Sequence, residues 1–263
     1  FNSLSVDKTG SYTLTPSTTV SGVTTTPASG SFTVSPGAIA SYVVSATTPQ
    51  TAGAAFDVTV TAKDANNNTV TTDTGTEVTM SGTGSVQFDS DGDTTFGDNA
   101  KTLNAGTFTI SAKDNVAESI TITATSSGPR TGNSSSITIN PGAANKLAFT
   151  TQPVDTTYGT TLPNVVVQLQ DQFGNNVAQS GTSIALALTG SGTLGGTTAV
   201  ATGAEGSATF SDLTVNRIGS KTLTASATSL SAATSSSFTI TAKAITVTAV
   251  ASTKTYDGST NST

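Results

Sequence analysis

The chain has 263 residues, 34% hydrophobic, 5% aromatic and 10% charged, with a formal net charge of −6 and an isoelectric point near 4.4. It contains no Cys, His or Trp, which excludes thiolate and imidazole metal sites, disulfides, and Ser–His or Cys–His nucleophile pairs. Ten Lys plus Arg against sixteen Asp plus Glu disfavour nucleic acid and anionic membrane surfaces, which select clustered cations.

Ser and Thr make up about a third of the chain, and most apolar residues stand singly between them. Threonine suits a half-buried strand, because its β-branch packs on the sheet while its hydroxyl keeps the other face wet. The chain therefore reads as all-β. No apolar run approaches the roughly 20 residues of a membrane helix, and no signal-peptide pattern is present. No membrane insertion is expected in this segment.

The chain begins with a phrase that returns: Phe1-Asn-Ser-Leu4-Ser-Val6-Asp7-Lys8-Thr9-Gly10-Ser11-Tyr12-Thr-Leu14 matches Phe210-Ser-Asp-Leu213-Thr-Val215-Asn-Arg-Ile-Gly219-Ser-Lys-Thr-Leu223. The offset is constant at 209 (210 − 1). A looser copy is read at Leu103-Asn-Ala-Gly106-Thr-Phe108-Thr-Ile110. A period of about 105 residues means an array of like domains. A short alternating strand, Ser31-Phe-Thr-Val34, leads into Pro36-Gly37-Ala38, and Ser136-Ile-Thr-Ile139 leads into Pro141-Gly142-Ala143. Proline cannot donate to a ladder, so each Pro-Gly ends a closing strand and opens a linker. The later equivalent, Ser237-Phe-Thr-Ile240, runs into Ala242-Lys243-Ala244 instead.

Within each unit, Val58-Thr-Val60-Thr-Ala62-Lys-Asp64-Ala-Asn-Asn-Asn68 matches Val165-Val-Val167-Gln-Leu169-Gln-Asp171-Gln-Phe-Gly-Asn175. Asp, Asn and Gly tolerate left-handed backbone and bond it locally, so a strand, tight turn and strand are expected, with Asp64 and Asp171 as Asx-turn residues. Further strands are expected at Glu77–Met80 and Ile184–Leu188, and at Ser119–Ala124 with its counterpart Lys221–Ala225. About seven short strands per unit with period-2 patterning predict tandem immunoglobulin-like Greek-key β-sandwiches in an elongated array. The boundaries fall at 1–36 (closing strands of a preceding repeat), 37–141 and 142–242 (complete sandwiches), and 243–263 (opening strands of a following repeat).

Pro141-Gly-Ala-Ala-Asn-Lys146-Leu147 and the hairpin Val167-Gln-Leu-Gln-Asp171-Gln-Phe-Gly-Asn175-Asn-Val177 resemble the bacterial immunoglobulin-like repeats of invasin/intimin-type surface adhesins. Ile245-Thr-Val-Thr-Ala249 followed by Lys254-Thr-Tyr256-Asp257-Gly258 is similar to the start of repeats named for a Tyr-Asp-Gly signature. The resemblance implies a non-catalytic stalk or fibre segment of a secreted, extracellular cell-surface protein. The partners it implies are neighbouring repeats of the same chain, with identical chains joined by strand addition as the alternative. The first unit departs from the motif at Asn66-Asn67-Asn68, where Phe-Gly-Asn is usual.

No cofactor is required by this reading, and calcium is the one candidate. Asp89-Ser-Asp91-Gly-Asp93-Thr-Thr-Phe-Gly-Asp98 sets alternate carboxylates around a Gly turn, the hard-oxygen pattern that Ca²⁺ takes. The alternative is a solvated loop whose Asp and Gly serve as turn formers. An enzyme is not expected: Glu77, Glu118 and Glu205 are scattered, and no base is available to activate a hydroxyl. A glycan-binding or host-surface module is the rival class. It lacks a Trp platform, and Tyr12, Tyr42, Tyr158 and Tyr256 are dispersed.

Overall fold

The computed structural model describes residues 3–24, 27–128, 130–249 and 258. Among them every regular element is a strand, and no helix is long and apolar enough to cross a membrane. The chain forms two compact units. One holds the residues up to Ala144 together with Gln170–Val177, and the other holds Asn145–Leu169 and the residues from Ala178 on.

In the first unit, β1 (Gly10–Tyr12) and β2 (Phe32–Val34) pair antiparallel with each other. Then come β3 (Ser41–Ala46), β4 (Gln50–Thr51), β5 (Ala55–Lys63), β6 (Glu77–Gly82) and β7 (Gln87–Asp89). The unit is completed by β8 (Ala100–Thr102), β9 (Thr107–Lys113), β10 (Ser119–Ile120), β11 (Ile122–Ser126), β12 (Arg130–Asn133) and β13 (Ile137–Asn140). One antiparallel sheet is ordered β3-β5-β9-β7, the other β12-β11-β6-β8, and a small sheet β10-β13-β4 joins their ends. Pairing β5 with β9 and β6 with β11 is a Greek-key crossover, and this division of strands is the immunoglobulin arrangement.

Alternation builds the core. Along β5, Phe56, Val58, Val60 and Ala62 are buried, while Asp57 is exposed and Thr59 and Thr61 are only half-buried. They meet Met80, Ile122 and Ile137 of the facing strands in one cluster. Full burial of each such side chain contributes about 1.5–3 kcal/mol. At one edge β12 runs so close to β3 that a Cβ on Gly132 would lie 1.9 Å from the Tyr42 carbonyl oxygen.

The second unit contains β14 (Lys146–Thr151), β15 (Thr156–Thr157), β16 (Val165–Gln170), β17 (Ser183–Thr189), β18 (Leu194–Gly195) and β19 (Ala199–Ala201). It ends with β20 (Ser207–Phe210), β21 (Thr214–Val215), β22 (Gly219–Ser226), β23 (Ala233–Thr234) and β24 (Phe238–Thr241). Its sheets are β14-β16-β20 and β15-β24-β22-β17-β19, with β23 also on β22 and a separate β18-β21 ribbon. Val165, Val167, Ile184, Phe210, Leu223 and Phe238 fill its core.

The repeats superpose in detail at their closing strands. Serine hydroxyls meet across the strands at Ser11–Ser31, Ser119–Ser136 and Ser220–Ser237. A second serine accepts the partner amide and donates to the next carbonyl at Ser29, Ser134 and Ser235. This register corrects the looser copy at Leu103–Ile110. Gly106 precedes β9 and its carbonyl takes the Ala62 amide, as the Gly206 carbonyl takes that of Leu169. The true counterpart of Gly10 and Gly219 is Glu118, one residue before Ser119.

The hairpin after β5 also differs from expectation. Its return arm is a single bridge, Lys63↔Thr69, matched by Gln170↔Asn176, because Val70 then turns into the core. Residues 242–249 form no strand and are exposed, and the Lys254–Asp257 part of the Tyr-Asp-Gly motif lies outside the described residues.

Candidate functional site

Two places carry the polar residues singled out by the sequence. The first is the acidic loop after β7. Asp89 is buried at the strand end, where its Oδ1 accepts the Gly92 amide (2.7 Å) and its Oδ2 the Thr94 amide (3.0 Å). Asp98 Oδ2 accepts both the amide (3.0 Å) and the hydroxyl of Ser90. That hydroxyl, then the amide, holds the Asp98 carboxyl below its ordinary range against the opposing effect of burial. Asp91 and Asp93 each accept an amide two residues on, from Asp93 (3.1 Å) and Thr95 (2.7 Å).

Of the four aspartates, the structure brings three together. One carboxylate oxygen each of Asp89, Asp91 and Asp98 lies within 4.8 Å of the others, and Asp93 is not among them. This is a geometry a hard cation could use. The same oxygens also close the loop on their own through backbone amides.

The second place is the turn that follows β5 and β16. Asp64 and Asp171 are both buried. Asp64 Oδ1 accepts the Asn66 (2.9 Å) and Asn68 (2.8 Å) amides, and Oδ2 accepts the Gly37 amide (3.0 Å). Asp171 repeats the pattern with Phe173 (2.9 Å), Asn175 (2.9 Å) and Gly142 (2.9 Å). Both are therefore Asx-turn residues, as their chemistry predicts. The residue that must take positive φ is Gly174 (97°) in one turn and Asn67 (62°) in the other. Asn tolerates that region, so the departure at Asn66–Asn68 leaves the turn intact.

These carboxyls also reach the Pro-Gly junctions. The Asn68 amide group, then the Gly37 amide, draws Asp64 from 3.8 down to about 2. For Asp171, burial pushes upward, but the Asn175 side chain and the Gly142, Asn175 and Phe173 amides outweigh it and hold the group low.

Sequence reasoning missed the asparagine four residues after each aspartate. Asn68 Nδ2 donates to Asp64 and to the Asp7 carbonyl (2.8 Å), and its Oδ1 accepts the Thr9 amide (3.3 Å). Asn175 Nδ2 donates to Asp171 (2.8 Å) and to the Asn115 carbonyl (2.8 Å), and its Oδ1 accepts the Ala117 amide (2.9 Å). Each Asn thus grips the backbone of the turn that precedes a closing strand, about sixty residues earlier in the chain. Phe173 adds an apolar contact: a Cβ on Gly53 would lie 2.1 Å from its ring. The Asp-x3-Asn spacing, repeated at an offset of 107 (171 − 64), was the available signal.

Below these contacts lies Asp114, which is buried with an unpartnered Oδ2, beside the equally unpartnered Oδ1 of Asn115. Desolvation is the main reason its carboxyl is pushed up, and nearby Glu118 adds to that.

No family model matches the chain, and no curated protein does. Among solved structures, the D00-D0 domain of intimin is similar at 11% identity and a TM-score of 0.42, over 76% of this chain and 98% of that one. An Escherichia coli adhesin, FdeC, is similar at 18% identity and 0.39, over 90% and 74%. A glycosyl hydrolase family 2 member from Bacteroides cellulosilyticus is similar at 16% identity and 0.32, over 75% of this chain and 24% of that one.

Proposed function

We propose that this chain is a non-catalytic, load-bearing segment of a secreted bacterial cell-surface protein of adhesin type. One observation carries the reading. In each unit a strand near the start pairs in parallel with the last strand: β4 with β13 (Gln50↔Ile139, Thr51↔Asn140) and β15 with β24 (Thr156↔Ile240, Thr157↔Thr241). The Ala52 amide extends the first pair by donating to the Asn140 carbonyl (2.8 Å), and the Tyr158 amide extends the second by donating to Thr241 (2.8 Å). Pulled from its two ends, each unit loads these hydrogen bonds in shear, all at once, instead of peeling them singly. The sequence resemblance supplies the surface location.

Single-molecule stretching of the chain between handles at its ends tests the reading. Two separate force peaks are expected, one per unit. Smooth extension at low force, without peaks, would overturn a mechanical role.

The carboxylate trio favours a second reading, a loop stiffened by calcium. At a free ion concentration about ten times the dissociation constant, calcium would raise the melting temperature by about 3–6 °C. Asp91→Ala should abolish that rise at little cost to the apo protein, since Asp91 is exposed and accepts one local amide. A melting temperature indifferent to calcium would end this reading.

A further inference from the structure

The asparagine grip is filled twice, and the structure contains a third receptor for it. The gripped groups are the Asp7 carbonyl with the Thr9 amide, and the Asn115 carbonyl with the Ala117 amide. Counting back from the paired serines Ser11, Ser119 and Ser220, the third equivalents are the Asn216 carbonyl and the Ile218 amide. Among the described residues nothing fills either group. Asn216 and Ile218 are exposed, whereas Asn115 and Ala117 are half-buried under their hairpin. The turn is nevertheless held in shape: Asn216 Oδ1 accepts the Thr193 amide (2.7 Å) and Lys221 Nζ donates to the Ile218 carbonyl (3.1 Å). Lys243, at the position of Gly142 (142 + 101), keeps a main-chain N–H that could donate to an incoming aspartate.

We infer that the turn Val215–Gly219 is a docking surface for an Asp-x3-Asn hairpin supplied by a further immunoglobulin-like repeat. The occupant is specified by continuity with the two filled receptors, which accept this hairpin and no other kind of segment. Its Asn would donate to the Asn216 carbonyl and accept from the Ile218 amide, and its Asp would take the Lys243 amide. The inference rests on the reading of the chain as a repeat-built spacer.

The test is amide hydrogen exchange at Ile218 in the full chain and in a protein in which residues 142–242 are repeated directly after residue 242. Exchange at Ile218 should slow at least tenfold in the longer protein. It should return to its original rate when the added copy of Asn175 is changed to Ala, which removes the oxygen that would accept the Ile218 amide. Protection of the added copy of Leu223 certifies that the extra repeat is folded. An unchanged Ile218 rate beside a folded extra repeat overturns the inference. Protection that appears in the original chain only on raising its concentration also overturns it, by assigning the receptor to a second copy. Stretching reports on the sandwiches and exchange reports on the receptor, so failure of the spacer reading would be seen separately.

Discussion

Asp171→Ala is expected to lower the unfolding free energy in urea by about 3 kcal/mol, among the larger losses available to a single polar substitution here. The carboxylate accepts the amides of Gly142, Phe173 and Asn175 and the side chain of Asn175. Removing it strands donors that cost about 1–3 kcal/mol each when buried and unpaired. Water reaches the half-exposed ones, so the total falls below the sum. Asn175→Ala should cost less, about 1–2 kcal/mol, because the three main-chain amides stay on Asp171 and only the side-chain bonds to Asp171, Asn115 and Ala117 are lost. If Asp171→Ala proved as mild as a surface substitution, the turn would not be what holds this junction.

The same carboxyls fix the sign of the acid response. Asp64 titrates near 3.8 in the unfolded chain and near 2 in the folded one, so its contribution is complete above about pH 4. It is lost as the pH falls toward 2. Asp171, also held low, acts in the same direction. Asp114 acts in the opposite one: its carboxyl is raised by burial, and protonating it relieves a penalty. Asp64→Asn should therefore flatten the acid limb of a pH–stability curve, and Asp114→Asn should steepen it.

The second large effect is expected at Gly132. A valine there should cost about 3 kcal/mol or more, and an alanine about 2, read from urea or thermal unfolding. The new Cβ would sit 1.9 Å from the Tyr42 carbonyl oxygen and 2.6 Å from its carbon, both main-chain atoms that cannot swing aside. Either β12 or β3 must move, which opens the edge where the two sheets meet. Tyr42→Phe is the control. It removes only the hydroxyl bond to Ser126 (2.7 Å) and should cost about 1 kcal/mol. A Gly132→Val protein as stable as the control would mean the edge relaxes freely.

Much of the fold is legible in the chain because its rules are local. Alternation along Phe56–Ala62 and Ile184–Leu186 sorts inward from outward residues, and the Pro-Gly pairs mark the ends of closing strands. Asp64 and Asp171 announce their turns through bonds that span two and four residues. The grip of Asn68 and Asn175 is not local, since each reaches a backbone some sixty residues away, and no periodicity encodes that. The misplaced copy at Leu103–Ile110 has a related cause. A glycine followed by alternating apolar residues marks the start of many strands, so the pattern alone does not say which. The acidic loop was legible as a cluster but not in its membership, because the left-handed backbone at Gly92 and Thr94 separates Asp93 from the other three carboxylates.

The hairpin Gln170–Val177 belongs by sequence to the second repeat and by packing to the first unit. This has a consequence for how such a chain matures. A polypeptide delivered amino end first cannot complete its first unit when Ala144 appears, because Asn175, which bonds Asn115 and Ala117, is still 31 residues away (175 − 144). Until then that turn is bare, as Asn216 and Ile218 are. In this unit the covering hairpin comes later in the chain than the turn it covers, so order there spreads in the direction of synthesis, and a break at Gln170–Val177 leaves the turn at Asn115 and Ala117 uncovered.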